Sequence, residues 1–376
     1  MMRFSTLIKH PADWMMTGHG GEQSAVLTSR IRLARNIRGH HFPGWAKPKQ
    51  RCETLRVLLP AVENLSVMKD GFAQELCSLS SIQKQILVER HLISREHAAR
   101  GEGSAAVIER RQSLSLMINE EDHLRMQAIR PGLQLTAAFQ SLSAVDSELE
   151  NQLDYAFDPT LGYLTTCPTN IGTGLRASSM LHLPALELTS QLEQVLQAVN
   201  KIGLAVRGIY GEGTESLGHL FQISNQSTLG ESEEYIIQRL ERVIKQVARH
   251  EANAREKLLD DRPQFIADKI GRAYGILRHC HIMESKEALT LLSLVRLGGS
   301  IGIFPKETTA LCDALFMEIQ PAHLQWSTAR ALCADERDAL RAEIIRARLH
   351  SLESPHISHI APEEKPSNSD HPSSHE

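Results

Sequence analysis

Apolar residues follow two different spacings along the chain, and the change between them falls near Ser232. Before that point, segments with apolar side chains at every second position alternate with segments of helical spacing. Leu114, Leu116 and Ile118 illustrate the first spacing and predict a half-buried strand. The strand-like segments are 105–108, 112–118, 124–129, 203–209 and 220–224, and helical spacing appears over 55–62 and 186–199. Closely successive strands favour antiparallel pairing, so the pattern predicts an α+β fold, an antiparallel sheet flanked by helices.

After Ser232 only helical spacing remains, which predicts an all-α C-terminal domain. Pro263 follows two aspartates and marks the expected start of a helix. Residues 353–376 are rich in Ser, Pro, His and Glu and predict a disordered tail. The predicted helices are a long one that starts with residues 236–247, one from Pro263 onward, and three over 286–297, 306–316 and 335–352. The predicted division is an N-terminal segment 1–23, an α+β domain 24–255, a helical domain 256–352 and the tail 353–376.

Composition narrows the classes of protein that this chain can be. With 376 residues, 41% hydrophobic and 23% charged, it has the balance of a globular protein. A formal net charge of -4 argues against direct nucleic-acid binding, and no apolar run reaches the length of a membrane span. The six cysteines form no Cys-x-x-Cys pair, which excludes a standard zinc module and predicts free thiols in a reducing cytoplasm.

Three adjacent acids, Glu120, Glu121 and Asp122, follow the strand that ends at Ile118. Acids at the end of a strand repel one another and lose hydration unless a cationic ligand or a metal lies opposite. A solvated acidic turn is the alternative for the triplet taken alone.

Arginines accompany this acidic run in several glycine- or acid-marked segments. If the segment 28–36 is a strand, Arg30 and Arg32 share one face, where they can clamp a phosphate; a basic surface strand is the alternative. Others lie in the loop 166–178, whose glycines let a ligand approach the backbone, and in 206–215. The five arginines are Arg30, Arg32, Arg125, Arg176 and Arg207. Five positive charges near the acids do not suit the metal site of a metallohydrolase. The arginines fit a nucleoside triphosphate as phosphate donor, and the acids fit a cationic acceptor. The sequence contains no Gly-x-x-x-x-Gly-Lys-[Ser/Thr] P-loop.

Four motifs occur in the order that is typical of the guanidino phosphotransferases, which include arginine and creatine kinases. They are Ser-Arg-x-Arg at 29–32, the acidic run at 119–122, Cys-Pro-Thr-Asn at 167–170 and Arg-Gly-x-x-Gly-Glu at 207–212. The chain resembles this family over about 25–255 and is most similar to its bacterial protein-arginine kinases. It reaches the first motif within 30 residues, so we expect the small N-terminal helical domain to be missing. Tyr210 replaces the second arginine of the last motif.

The C-terminal half carries a further motif of that bacterial group, Arg-Asp-x-x-Arg-Ala at 337–342. From the residues alone, two arginines four positions apart share a helix face, and a solvated face is the alternative. The resemblance implies a phosphoarginine-binding allosteric pocket made by Arg337, Asp338, Arg341 and Ala342.

The resemblance also implies the activity, an ATP-dependent phosphorylation of arginine residues in proteins. Glu121 would be the preferred base, Glu212 a second carboxylate at the substrate guanidinium, and Cys167 a neighbour of the reacting nitrogen. Mg²⁺ would bridge the ATP phosphates, and we predict no metal ligand among the side chains. The implied ATP-binding residues are Thr28, Ser29, Arg30, Ile31, Arg32, His91, Arg125, Arg176, Ala177, Ser178, Ser179, Met180, Arg207, Gly208, Ile209, Tyr210, Gly211 and Glu212.

Partners are implied by the same resemblance. They are protein substrates with exposed arginines, a second copy of the chain in a homodimer, a zinc-finger activator protein and Clp-type protease machinery, all in cytoplasmic protein quality control and stress response. No nucleic-acid or membrane partner is expected. Two alternatives stay open from sequence: a kinase for free arginine or another small guanidine, and an inactive phosphoarginine-binding adaptor.

Overall fold

The central feature of the molecule is an eight-stranded antiparallel sheet. The computed structural model describes residues 2–12, 22–208 and 216–355. The strands of the sheet are β1 (Val26–Arg35), β2 (Phe72–Glu75), β3 (Ala105–Ile108), β4 (Leu114–Ile118), β5 (Leu124–Pro131), β8 (Leu175–His182), β9 (Leu204–Gly208) and β10 (Leu220–Asn225); a separate hairpin contains β6 (Phe157–Asp158) and β7 (Gly162–Tyr163). Their order across the sheet is β2-β3-β4-β5-β1-β8-β10-β9. The predicted antiparallel α+β class is confirmed.

Helices flank this sheet and bury one of its faces. They are α1 (Phe4–Lys9), α2 (Pro48–Glu63), α3 (Ser81–Glu89), α4 (Arg95–Ala98), α5 (Leu135–Glu150), α6 (Pro184–Leu188), α7 (Leu192–Lys201) and α8 (Glu233–Asp261). Ile31 and Leu33 of β1 are buried in the main core, so the alternate positions of that strand face the other side of the sheet. The helix predicted over 186–199 is two helices, because Ser190 adopts a φ of 57° that interrupts the helical path.

The C-terminal part is entirely helical over its described residues, as predicted. It contains α9 (Pro263–His279), α10 (Ser285–Ser300), α11 (Glu307–Glu318), α12 (Pro321–Thr328) and α13 (Ala334–Leu349). Helix α9 begins at Pro263, as the sequence indicates, whereas the short α12 was not predicted. The boundaries of the predicted division into domains stay predictions, and residues 356–376 of the predicted tail lie outside the described residues.

A buried polar network joins α10 to the end of β8. Arg296 is fixed by Asp313 (Nε–Oδ1, 2.6 Å) and donates to Nδ1 of His182 at 3.1 Å. Nε2 of neutral His182 therefore carries the proton and donates to Oγ of Ser293 at 2.7 Å. The Ser293 hydroxyl in turn donates to Nδ1 of His219 at 2.6 Å. Burial, followed by the Arg296 charge, lowers the pKa of His182 well below its usual value.

Within the described residues, no helix combines the length and the apolar character that crossing a membrane requires.

Candidate active site

The side chains of the five predicted arginines converge on one cavity of about 580 Å³. Strand register brings them together, because Arg32 of β1 lies opposite Arg176 of β8 and Arg207 of β9 lies opposite Gln222 of β10. Arg125 projects from β5, which is the other neighbour of β1. The sequence prediction that Arg30 and Arg32 share a face is therefore confirmed.

These guanidinium groups are crowded and partly desolvated. Burial, followed by the charges of Arg125 and Arg176, lowers the pKa of Arg30 to about 10. Burial and neighbouring arginines also lower the pKa of Arg32 well below its usual value, and that of Arg176 to a lesser degree. Among the described residues, the Nε atoms of Arg32 and Arg176 are buried and lack a hydrogen-bond partner. An anion with several oxygens would supply acceptors and reduce this repulsion.

Glu120, one of the two buried members of the acidic run, orients Arg125. Nη1 of Arg125 donates to Oε1 and Oε2 of Glu120 at 2.6 and 2.7 Å, and the Ser94 hydroxyl donates to Oε1 at 2.6 Å. Burial alone would raise the pKa of Glu120, but Arg125 and Ser94 outweigh it and lower the pKa to about 2. The carboxylate is thus ionised and holds Arg125 at the cavity edge.

Asp122 has a different task, which is to join the acidic run to the loop that carries Cys167. Its Oδ1 accepts from Nδ2 of Asn36 and from the backbone N–H of Thr166, both at 2.7 Å. The Thr166 hydroxyl donates to the carbonyl of Glu121 at 2.9 Å, so two adjacent bonds fix the loops together. Cys167 follows directly, with its Sγ 3.0 Å from Oγ1 of Thr169.

Glu121 alone of the three acids keeps a partly exposed side chain. Its backbone N–H donates to Oε2 of Glu120 at 2.9 Å. Glu120 therefore positions both Arg125 and the backbone of Glu121. Burial, followed by the charge of Asp122, raises the pKa of Glu121. A half-buried carboxylate with a raised pKa, next to cations that hold an anion, is suited to accept a proton.

A smaller cavity of about 110 Å³ adjoins the arginine cavity beside His91. His91 has a φ of 55°, and its carbonyl accepts from Nε2 of Gln127 at 2.5 Å. Burial, followed by Arg30 and Arg95, lowers the pKa of His91 to about 4, so the ring is neutral at pH 7. The lining of this cavity includes the predicted residues Thr28, Arg30, His91, Ser178 and Met180.

Four other predicted ATP-binding residues have side chains on the opposite face of the sheet, because neighbours along a strand alternate. They are Ser29, Ile31, Ala177 and Ser179, all buried. The hydroxyl of Ser29, for example, donates to the carbonyl of Gly132 at 2.7 Å. The predicted residues Ile209, Tyr210, Gly211 and Glu212 lie outside the described residues, whereas Gly208 lines the arginine cavity.

Several lining residues were not predicted. Gln127 and Gln222 lie on the cavity face, and counting alternate positions from the arginines of neighbouring strands would have identified Gln127. Gln320 and Pro321 come from the helical domain, and no local sequence pattern connects them to this site. The other unpredicted lining residues are Gln85, Val88, Glu89, Ile93, Ser94, Arg95, Glu96 and Met117.

The predicted phosphoarginine pocket lies on α13. Its residues are Arg337, Asp338, Arg341 and Ala342. Arg341 is 2% exposed, donates to the carbonyls of Met283 (2.8 Å) and Ile319 (3.1 Å), and pairs with Asp338. Arg341 therefore holds α13 against its neighbours. Arg337 is partly exposed, so of the two arginines it is the one that a phosphoarginine from solution could reach.

Over the described part of the chain, no group of three His, Cys, Asp or Glu side chains is arranged to hold a metal ion.

Two family models match the chain in succession. Residues 57–254 match the C-terminal catalytic domain of the ATP:guanido phosphotransferases. Residues 263–360 match the C-terminal domain of the protein-arginine kinase McsB. The first match includes most of the sheet and the acidic run, and the second begins at the start of α9.

Curated relatives match over nearly the whole length. A protein-arginine kinase of Halothermothrix orenii is 44% identical over 93% of this chain and 100% of its own. One of Moorella thermoacetica is 46% identical over 91% of this chain and 98% of its own.

Solved structures of more distant proteins share the fold over about two thirds of this chain. Lombricine kinase has a TM-score of 0.54 and 28% identity over 64% of this chain and 71% of its own. The duplicated taurocyamine kinase of Schistosoma mansoni, solved with transition state analog components, has a TM-score of 0.55 and 28% identity over 66% of this chain and 35% of its own.

Proposed function

The chain belongs to the ATP:guanido phosphotransferase family, and from this membership we propose how it phosphorylates arginine residues of proteins with ATP. The observation that carries the proposal is the cavity in which five arginines converge beside an acidic run with one partly exposed carboxylate. Cations at one end suit a polyphosphate, and the carboxylate suits a guanidinium. The match to the C-terminal model and the full-length relatives favour protein arginine over free arginine as acceptor.

The arginines position and neutralise the transferred phosphoryl group. Arg32 and Arg176 have buried, unpartnered Nε donors among the described residues, which phosphate oxygens would satisfy. Arg125 is already oriented by Glu120 and presents its remaining N–H groups in a fixed direction. Positioning and electrostatic stabilisation account for most of the catalysis in phosphoryl transfer, so a preorganised set of guanidinium groups is the main device of the site.

Glu121 handles the acceptor. A free guanidinium has a pKa above about 12, so removing its proton beforehand at pH 7 would cost about 7–9 kcal/mol. In our proposal, the N–P bond forms as the bond from the γ-phosphorus to the β–γ bridging oxygen breaks. The leaving oxygen departs with ADP, and Glu121 takes the proton from the attacking nitrogen. Its raised pKa makes it a stronger base than an ordinary carboxylate. Glu212 as second carboxylate and Cys167 as neighbour of the nitrogen complete the proposal.

The side chains of the site also indicate how Mg²⁺ would be held. No cage of three acidic or histidine ligands occurs among the described residues, and a Mg²⁺ ion that enters with ATP needs none, because it keeps several waters and binds phosphate oxygens. When bound, Mg²⁺ would supply positive charge to the phosphates, in addition to that of the arginines.

Regulatory and partner assignments are proposals from the family resemblance. They comprise phosphoarginine sensing at Arg337 and Asp338, a homodimer, a zinc-finger activator, Clp-type protease machinery and a role in stress response. The cytoplasmic assignment is supported by six free, scattered cysteines.

The proposal is tested by incubating the full chain with Mg-ATP and either an unfolded arginine-containing protein or free arginine. We expect acid-labile phosphate on the protein. Label on free arginine alone would contradict the choice of acceptor, and ATP binding without label on either substrate would favour the adaptor alternative.

A further inference from the structure

Helix α12 packs on α3 through an apolar cluster that includes Ala322, Ile86 and Leu87, and one buried carboxylate adds polar bonds to this contact. Glu89, 6% exposed, accepts from the backbone N–H of Ala322 at 2.8 Å and of His323 at 3.2 Å. Its Oε2 is also 2.7 Å from Nδ1 of His323. These N–H groups belong to the first turn of α12, where the helix has no internal acceptor for them and favours negative charge.

The residue after Glu89 strengthens the same contact and ties in the N-terminal segment. Nε of Arg90 donates to Nε2 of His323 at 3.2 Å. Its Nη1 and Nη2 groups donate to the carbonyls of His10 (2.9 Å) and Ile8 (2.7 Å). The end of α3 is therefore held from two sides before the chain reaches His91.

His91 directly follows this anchored pair and turns into the cavities with a positive φ. Its conformation is strained for a residue with a side chain, so it depends on the contacts around it. The hydrogen bond from the Gln127 amide to the His91 carbonyl holds this turn on the side of the sheet. Glu89 holds it on the side of α12.

The docking also brings helical-domain residues to the nucleotide cavity. Gln320 precedes α12 and Pro321 is its first residue, and both line the 580 Å³ cavity. Nε2 of Gln320 donates to the carbonyl of Phe316 at 2.7 Å, which orients the amide. The bonds from the start of α12 to Glu89 therefore help to hold the wall that these two residues form.

We propose that Glu89 is a positioning residue for ATP, because by capping α12 it fixes both the His91 turn and the Gln320–Pro321 wall. The second domain is then a structural part of the nucleotide site. The inference rests on the proposed placement of ATP in this cavity. Arg341 of α13 donates to the carbonyl of Ile319, one residue before Gln320, so the same wall is in contact with the predicted phosphoarginine pocket.

The test compares Glu89→Gln with Glu318→Gln in the full-length protein. Glu318 also joins two helices, through Arg348 at 3.1 Å, but it is 40% exposed and lies outside the cavity lining. For Glu89→Gln we expect the KM for ATP to rise about five- to tenfold, with kcat at saturating ATP within about twofold of wild type. The control variant should keep both constants. An unchanged KM for ATP in Glu89→Gln would overturn the inference.

A second measurement needs no variant. Mg-ATP should slow amide hydrogen exchange at Ala322 and His323 of the wild-type protein, since binding stabilises the docked α12. Protection of the sheet without any change at these amides would overturn the inference and leave the proposed function intact. Failure of the wild-type protein to bind Mg-ATP at all would instead overturn the proposed function.

Discussion

The three adjacent acids show how much the surroundings of a residue decide its role. Glu120 is ionised and paired with Arg125, and Asp122 joins two loops through Thr166 and Asn36. Glu121 keeps a partly exposed carboxylate with a raised pKa. The sequence predicted that the triplet belongs to the site, with a cationic ligand or a metal opposite it. The cation that faces Glu120 is instead the protein's own Arg125, and a cationic ligand at Glu121 stays a prediction. Which acid does which job depends on contacts with residues 36 and 166, far away in the chain.

Glu121→Gln should remove the base without removing the shape of the side chain. We expect kcat to fall by about 10²- to 10⁴-fold while the affinity for Mg-ATP stays within about twofold. Phosphoarginine formation and equilibrium ATP binding measure the two quantities. Glu193→Gln, at an exposed position of α7, is the matched control and should be fully active. Wild-type rates in Glu121→Gln would exclude the residue as base.

Asp122→Asn should shift the acid limb of the pH–rate profile. The charge of Asp122 is the second cause of the raised pKa of Glu121, after burial. Glu121 must be ionised to accept a proton, so activity falls as the pH drops through its pKa. Removing the neighbouring charge lowers that pKa, and the limb of kcat/KM should move to lower pH. The asparagine keeps an oxygen for Thr166 and Asn36, and a limb that moves upward would contradict this account.

At the scale of elements, the spacing of apolar residues predicted most strands and helices. It did not predict the elements whose conformation depends on contacts with distant parts of the chain. Strand β8 begins at Leu175, inside the segment that reads as a glycine-rich loop, and its partners β1 and β10 decide its conformation. The break at Ser190 and the eight-residue α12 likewise depend on packing. The pairing of β1 with β5 and β8 brings the arginines together, and no sequence motif predicted this pairing.

Buried histidines at the ends of these elements predict loss of stability in acid. Burial lowers the pKa of His219 to about 4, and His182 shifts in the same direction. Neutral rings are favoured in the folded state, so their contribution is complete above about pH 6.5 and is lost as the pH falls toward about 4. His219 alone accounts for about 3 kcal/mol. Urea denaturation at several pH values measures the effect, and a free energy of unfolding that stays constant from pH 7 to 4.5 would contradict it.

For the whole molecule, the sheet and the helical domain share one buried polar network and one cavity. The network centres on Arg296, whose contacts reach Asp313 in α11 and His182 in β8. The cavity includes Gln320 and Pro321 beside strand residues. Sequence spacing indicated two regions of different class, but it carries no information on how they meet, because that depends on single buried contacts.

Arg296→Met should therefore destabilise the entire molecule. It leaves the partly buried Asp313 and the buried His182 without their partner, which costs about 3–5 kcal/mol in the free energy of unfolding. Arg348→Met is the control, since its pair with Glu318 is 45% and 40% exposed and should contribute less than about 1 kcal/mol. Urea unfolding of both variants measures the difference. Equal stabilities would show that the buried network contributes little to the contact between the two parts.

The crowding of guanidinium groups in the cavity has a consequence for how this protein responds to salt. Burial, followed by the charges of neighbouring arginines, lowers the pKa values of Arg30, Arg32 and Arg176, so these groups repel one another when no anion is bound. Dissolved ions screen that repulsion, so added salt stabilises the protein without ATP more than the protein with ATP bound. Added salt should therefore weaken ATP binding. The same repulsion is relieved by any small polyanion that fits, so inorganic pyrophosphate or tripolyphosphate should raise the melting temperature and compete with ATP. We therefore expect ionic strength and polyphosphate concentration to affect ATP binding by this kinase directly, through the electrostatics of its own site.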